Sequence, residues 1–600
     1  MTRKDKRTLC LLGLLSIVSV FLFTTHVFGN RVDWYSQHVV IGDALRHAIR
    51  SEGTLFPTYI KELMSGGNIY HFSYYGYLRP DILIGALLIH IDMQTIIIAY
   101  SVLMMTLSVL CCYIFLRQHT KDENICIFVS LLVLLSSIFF HSHKQIMFVN
   151  YMPFLFLALI SIEKKNFLAF TLCGSLIVLH SYFYCIGCFI VCFIYFLYRH
   201  PGEWKKLFVS YILIVLLTAI LTIPTLLVIL GNGKSGASTQ LTSLFIPSLN
   251  LKGLLYSEYG CGLTYISYIL LVLALSDKQL QKLSAVCLVS FYSPFVWFIM
   301  NGFLYARSKI MLVFIPLVAY IMCMMFVKIK EGNIKLSKYS LVLLIIPVFF
   351  IKYPLLAFID CLFVILLLLQ KRKNIIYAYL VIPMLVVSCT NCPSSFYQPK
   401  KYEKNVSQLV RRNKIVTAAD LTTRQNVNQT YGNRINRVSG YTSTNNKYYN
   451  TFLFDTLRIP IPTNNRVAQN DTDNIFYLRT LGIDTVISKR QAPYGYSLKD
   501  QAKKIKLYQS NTALPQAYAT SSLMSEKQFK QLSYPYTLDT LMNCAIVNKG
   551  NSHYKSQFVE ENPGFKKSYH IKNKQKIELT LNRQTNNEIV VLECDIFNNR

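Results

Sequence analysis

Residues 8–28 read TLCLLGLLSIVSVFLFTTHVF, and residues 31–80 read RVDWYSQHVVIGDALRHAIRSEGTLFPTYIKELMSGGNIYHFSYYGYLRP. The first run is long enough to cross a hydrocarbon core, which takes about 20 apolar residues. No small-x-small cleavage site follows it, so it reads as an uncleaved anchor rather than a signal peptide. The second run is polar and carries acids, cations and tyrosines. Apolar runs resume after it. Together they describe a polytopic α-helical membrane protein in which this loop is the first place for chemistry.

Composition agrees. Of 600 residues, 53% are hydrophobic and only 15% charged, against about 25% charged in soluble domains. Net charge is +31. Nucleic acid is not the partner this surplus implies, because basic clusters punctuate the apolar runs as the positive-inside rule requires. The remainder, in loops and tail, suits an anionic wall polymer or lipid headgroups.

Hydropathy and basic residues together give about 13 spans. Arg3, Lys4, Lys6 and Arg7 place the N-terminus in the cytoplasm. Residues 82–91 are apolar but too short to span, and read as re-entrant. Successive cytoplasmic exits carry Arg117 and Lys121, Lys164 and Lys165, Arg199 and Lys205, Lys278 and Lys282, Lys328 and Lys330, and Lys371 to Lys373. A final span near 375–388 leaves the tail outside. The chain thus divides into a membrane domain, 1–390, and an extracytoplasmic α+β or β-rich domain, 391–600. In the tail, 476–488 reads as a helix followed by a strand. Residues 576–597 hold two alternating runs with hairpin patterning. Sequons stand at Asn405, Asn428 and Asn470.

Several chemistries find no support. There is no Walker A loop, HExxH, GxSxG elbow or Rossmann fingerprint. Cys389 and Cys392 form a CxxC without the second ligand pair that zinc needs. Most of the 16 cysteines lie in apolar runs, where thiols behave as small hydrophobes.

The first loop is the richest candidate. Its acids are Asp33, Asp43, Glu52, Glu62 and Asp81. Asp43, Arg46, His47 and Arg50 fall at helical spacing and can share one face. Trp34, Tyr70, Tyr74, Tyr75 and Tyr77 add aromatic surface. A plain reading is a self-paired interfacial helix. The functional one is sugar transfer from a lipid phosphate. That chemistry takes a carboxylate to accept the proton of an attacking hydroxyl and cations for the departing phosphate. Asp33, just past a span end, sits at the height of a lipid phosphate. Elsewhere, His141 and His143 with Lys144 form an external turn suited to phosphate or sugar, or simply a wet surface. Glu258 is a further external acid. Asp360 lies inside a span, where an acid is a functional hypothesis by default.

The loop resembles the YfhO-type family of bacterial membrane proteins, which have the GT-C glycosyltransferase architecture. The matching pieces are Asp33 with Gln37, Arg46, Gly66-Gly67-Asn68, Tyr74-Tyr75 and Pro80. Asn150 with Pro153, Tyr182-Phe183-Tyr184, Pro294-Phe295 and Asn301-Gly302 follow in order. The tail adds Ser439-Gly440-Tyr441-Thr442-Ser443, Asn446, Tyr449 and Leu481-Gly482-Ile483. Two departures stand out: Lys309-Ile310 where the family has Arg-Trp, and Arg79-Pro80 where it has Ser-Pro. The resemblance implies that Asp33 is the catalytic base. It also implies an undecaprenyl-phosphate-linked sugar donor and a cell-surface acceptor such as teichoic acid. Arg46, Arg50, Arg307 and Lys309 are then candidate phosphate partners, with Tyr74, Tyr75, His141 and His143 as further substrate-binding candidates. No cofactor is demanded. A divalent metal is the one option, with Asp33, Asp43 and Asp81 as its ligands.

Two other classes compete. A transporter or flippase of lipid-linked sugars makes Asp360 essential and Asp33 dispensable. A non-catalytic assembly protein places all function in the tail.

Overall fold

The computed structural model describes residues 3–23, 34, 37–64, 66–136, 139, 149–232, 241–249, 251–257, 260–334, 343–344, 346–369, 375–390, 404–422, 428, 435–444, 446–459, 468–469, 471–515, 517–550, 554, 564–567 and 577–580.

Membrane-crossing backbone must satisfy its own hydrogen bonds, so apolar runs become helices. Met93–Arg117, Tyr182–Arg199 and Ser308–Glu331 are each long and apolar enough to cross a bilayer. Two further pairs qualify together but are sharply bent: Pro201–Leu217 with Ala219–Gly231 at 78°, and Gln281–Tyr292 with Pro294–Met300 at 91°. That gives three crossing helices, or five with the bent pairs, among the described residues. Shorter apolar helices stand at other expected spans: Glu123–Leu134, Met152–Glu163, Phe167–His180, Tyr265–Ala274, Pro354–Leu369 and Val381–Thr390. The basic-ended Arg3–Phe23 helix occupies the first. Of the eleventh, the described residues include helical 343–344 and the 3-10 turn Ile346–Phe350. Residues 82–91 form the end of an eight-residue helix, Pro80–Leu87, and a tight turn into Met93.

Helix breaks follow local capping chemistry. Asp122, Asn166, Ser181 and Ser293 each accept a backbone N–H near the start of the following helix, meeting donors that the first turn leaves orphaned. Ser293 is followed by Pro294, which fits a first helical turn because it has no N–H to lose. A cap and a proline side by side therefore turn one apolar run into two helices at 91°.

The basic exits gather at one end of the bundle. Arg117 pairs with Asp5 at 3.0 Å and Lys4 with Glu123 at 2.6 Å. Arg199 pairs with Glu163 at 2.7 Å and Lys165 with Glu203 at 2.5 Å. Lys328 pairs with Asp277 at 2.5 Å, and Lys330 with Asp122. His119 and Tyr195 join the first set to the second at 3.2 Å. At that end the lysines and arginines meet the few acids of the same helix ends.

The first loop packs at the opposite end. Val40–Glu52 is an amphipathic helix burying Val40, Ile41, Ala44, Leu45, Ala48 and Ile49. Tyr59–Ile60 and Gly67–Asn68 pair antiparallel, leading to the 3-10 helix Ile69–Tyr75.

The tail has its own core. A four-stranded sheet runs Ala419–Asp420, Thr485–Ser488, Ile505–Gln509, Ser497–Ala502, the first pair parallel and the others antiparallel. The helix Lys404–Arg412 covers it with Val406, Leu409 and Val410, against Ile487, Ile505 and Leu507. The expected helix and strand of 476–488 are Ile475–Thr480 and Thr485–Ser488. Ile577–Thr580, in the first run of the expected 576–597 hairpin, pairs antiparallel with the upstream Gly564–Lys567. Its proposed second run lies outside the described residues, as do Cys392, Asn405's neighbours 401–403 and Asn470.

Candidate active site

Asp33, His141, His143, Lys144 and Glu258 lie outside the described residues. Trp34, Gln37 and His38 are buried.

Tyr75 is the node of this region. Its hydroxyl donates to Gln37 Oε1 at 2.5 Å and accepts from the Ser443 backbone N–H at 2.8 Å. The His38 ring meets the Tyr75 ring edge-on, 6.1 Å between centroids. Burial and the nearby Arg79 guanidinium push the His38 imidazole down to about 3, so it is neutral under ordinary conditions. Burial also lowers His71.

Behind Tyr75 lies a buried ion pair. Arg79 donates to both Asp81 oxygens, at 2.6 and 2.8 Å, and to the Tyr75 carbonyl at 3.2 Å. Both side chains are almost wholly enclosed. The bidentate fork is geometry that lysine does not offer. The Arg79-Pro80 departure from the family pattern thus comes with its own acid, two residues on. Asp81 gives both oxygens to this pair, and Asp43 Oδ1 accepts from Arg46. Among the described residues no three His, Cys, Asp or Glu side chains cluster as a metal site.

Arg46 is buried and held by protein groups. Its Nε donates to Asp43 Oδ1 at 2.8 Å and its Nη1 to the Ile91 carbonyl at 2.6 Å. It ties the first-loop helix to the turn before Met93. Arg50, one turn on, is exposed. Asp43, Arg46, His47 and Arg50 stand on one helix, Val40–Glu52, and the pairing their spacing permits is local. His47 Nε2 also lies 3.7 Å from Asp43.

A row of rings links Tyr75 to two cations. Tyr74 meets Tyr75 at 5.3 Å and Tyr182 at 6.4 Å. The next residue, Phe183, stacks on Tyr305 at 6.0 Å. Lys309 Nζ sits 4.5 Å from the Phe183 ring centre, and Arg307 lies 5.3 Å from that of Tyr305. These distances are those of cation–π contacts. The cation segment is set by Asn301, whose amide donates to the Trp297 carbonyl at 2.8 Å and the Arg307 carbonyl at 3.3 Å. Gly302 follows at φ 66°, a left-handed conformation that turns the chain. Sequence pieces more than 100 residues apart, Tyr74-Tyr75, Tyr182-Phe183 and Arg307 with Lys309, thus form one strip.

Asp360 is placed differently from a relay. It accepts from Tyr256 at 2.6 Å, Tyr379 at 2.7 Å and the Ile266 N–H at 3.1 Å. Tyr379 also shares a hydrogen bond with Thr264 at 2.5 Å. This fully buried carboxylate clasps two helices and the 251–257 segment. Hydropathy located the acid but not its partners.

The contact between loop and tail was not anticipated. The tail motif was visible as a string of residues, but nothing in the string says where it docks.

Comparison with known proteins adds a family. A family profile described as "Bacterial membrane protein YfhO" matches residues 10–596. No curated protein matches the chain. Among solved structures, it is similar to the arabinofuranosyltransferase AftD from Mycobacteria, with TM-score 0.49 and 12% identity over 86% of this chain and 40% of that one. It is also similar to ArnT from Cupriavidus metallidurans in the apo state, with TM-score 0.44 and 11% identity over 84% of this chain and 99% of that one. The chain thus spans less than half the length of AftD.

Proposed function

Because the chain belongs to the YfhO family of bacterial membrane proteins, we propose that it is a GT-C-type inverting glycosyltransferase. It moves a sugar from a polyprenyl-phosphate donor to an anionic cell-surface glycopolymer, such as teichoic acid, on the external face. Asp33 accepts the proton of the acceptor hydroxyl as that oxygen attacks the anomeric carbon. The bond from that carbon to the phosphate oxygen breaks, and polyprenyl phosphate leaves with the electron pair. A phosphate leaving group needs no general acid, so one carboxylate suffices.

The observation that carries this reading is the strip from Gln37 and Tyr75 through Tyr182 and Phe183 to Arg307 and Lys309. It brings the partly exposed Tyr74 and Tyr182, for a sugar, and the cations Arg307 and Lys309, for a phosphate, to the end of the bundle opposite the basic exits. Lys309 is only partly buried and Arg307 is exposed, so both remain within reach of a lipid headgroup. Arg46, enclosed and paired, acts by holding the loop helix in place.

The test is transfer from labelled polyprenyl-phosphate sugars to wall polymer, using unmodified protein, Asp33→Asn and Asp360→Asn at equal membrane levels. Loss of a general base lowers turnover roughly 10²–10⁴-fold, and that is the result expected of Asp33→Asn alone. Full transfer by that variant removes Asp33 as the base. Lipid flipping that depends on Asp360, with no transfer by any form, would establish the transporter reading instead.

A further inference from the structure

We infer that the tail segment 437–444 is a built-in part of the candidate active site, positioning the Tyr75–Gln37 pair; this rests on the glycosyltransferase reading. Among the described residues four hydrogen bonds join segments some 370 residues apart, one of them between the Tyr75 hydroxyl and Ser443 Oγ at 3.3 Å. Ser443 N–H donates to the Tyr75 hydroxyl at 2.8 Å. Thr444 Oγ1 donates to the His71 carbonyl at 2.6 Å. Arg437 N–H donates to the Glu62 carbonyl at 3.3 Å. All of Arg437, Ser439, Thr442 and Thr444 are buried.

The fit is steric as well as polar. A Cβ on Gly440 would lie 2.1 Å from Met64 Cγ in the first loop, so only glycine allows this approach.

The segment is also backed rigidly from behind. Asn428 brackets Tyr441, accepting from its N–H and donating to its carbonyl, each at 2.7 Å. Gly440–Tyr441 pairs with Ala468–Gln469. The Arg437 guanidinium is bound to buried Asp471 at 3.0 Å, beside Asp420 on the four-stranded sheet. The tail core therefore holds the segment, the segment holds Tyr75, and Tyr75 holds Gln37. Gln37 stands four residues after Asp33. A chain of short hydrogen bonds fixes what a free loop would leave mobile, which is the preorganisation a reacting group needs. These are positioning residues, not catalytic ones.

The experiment pairs hydrogen exchange with transfer kinetics in the full-length protein. Ser443→Pro removes the N–H that Tyr75 accepts, Gly440→Val wedges the tail from Met64, and Thr444→Val removes only a hydroxyl. Faster exchange is expected across 69–77 while strands 485–488 and 505–509 stay protected. Turnover should fall about 10²-fold for Ser443→Pro with little change in donor KM, the size of effect that a small misplacement produces. Ser443→Ala keeps the N–H but loses the Oγ that also lies 3.3 Å from the Tyr75 hydroxyl, so turnover should fall less than with proline, by about fivefold, the worth of one hydrogen bond. Where proline loosens the sheet itself, Thr444→Val supplies the comparison. Unchanged exchange at 69–77 and unchanged transfer in Gly440→Val and Thr444→Val overturn the inference. If the unmodified protein transfers nothing, the glycosyltransferase reading falls, and exchange alone then decides whether the tail orders the loop.

Discussion

His38 illustrates how burial decides chemistry for a single side chain. Its folded pKa is lowered to about 3, while an unfolded chain holds its histidines near about 6.5. The unfolded state therefore binds a proton that the native state refuses, and stability falls as pH drops through this window. The contribution is complete above about pH 6.5 and is lost progressively toward pH 3. Melting of the unmodified protein should fall more steeply with acid than melting of His38→Gln. Equal slopes between pH 6.5 and 4 would refute the assignment. The Arg79–Asp81 pair is a second case. Arg79→Ala leaves a buried, uncompensated carboxylate and should cost about 3–5 kcal/mol, whereas Arg79→Met with Asp81→Leu should recover most of it. Thermal unfolding in detergent of the single and double variants distinguishes the two, and equal melting for both would argue against the pair's importance. Much at this scale was readable in advance: the spacing of Asp43 and Arg46 implied a pair, and it is there. Arg79 was noticed only as a departure from a family pattern, because nothing in Arg-Pro-Asp says that the fork closes on its own acid.

Elements show a different division. Apolar length identifies a span, and helices stand at nearly every place hydropathy put one. Bends are another matter. Residues 281–300 read as a single run, yet Ser293 and Pro294 cut it at 91°. The signal was present as a serine cap followed by proline, but a hydropathy average erases it. Ser293→Ala should destabilise the second helix by about 1 kcal/mol, read as faster exchange in 294–300. Unchanged exchange would mean that packing alone maintains the bend. Lys309 belongs to the element that follows. Lys309→Gln removes the cation from the Phe183 ring, and donor KM should rise about five- to tenfold, near the worth of one cation–π contact or charged hydrogen bond. A drop in turnover with unchanged KM would instead assign Lys309 to the reaction itself.

At the scale of the whole molecule, the first loop and the tail core share a seam along 437–444. Nothing in the sequence marks that seam. Contacts across some 370 residues leave no local periodicity to read. Asn428 makes the same point. As a string it is an N-x-T sequon; in the fold it is fully buried, with both ends of its amide spent on Tyr441. Secreted through a glycosylating pathway, the folded protein should carry no glycan at Asn428. Mass spectrometry showing high occupancy there would mean that the bracket forms late or not at all.

The seam also sets an order of events during synthesis. A ribosome makes Tyr75 some 370 residues before it makes Ser443, so a nascent chain carries the first loop for most of its synthesis while Tyr75 still lacks that partner. The loop acquires its bonds to Ser443 and Thr444 only after the tail has folded back onto it. Translation thus completes this arrangement from its far end, and a chain stalled before residue 437 holds a first loop without the segment that braces it.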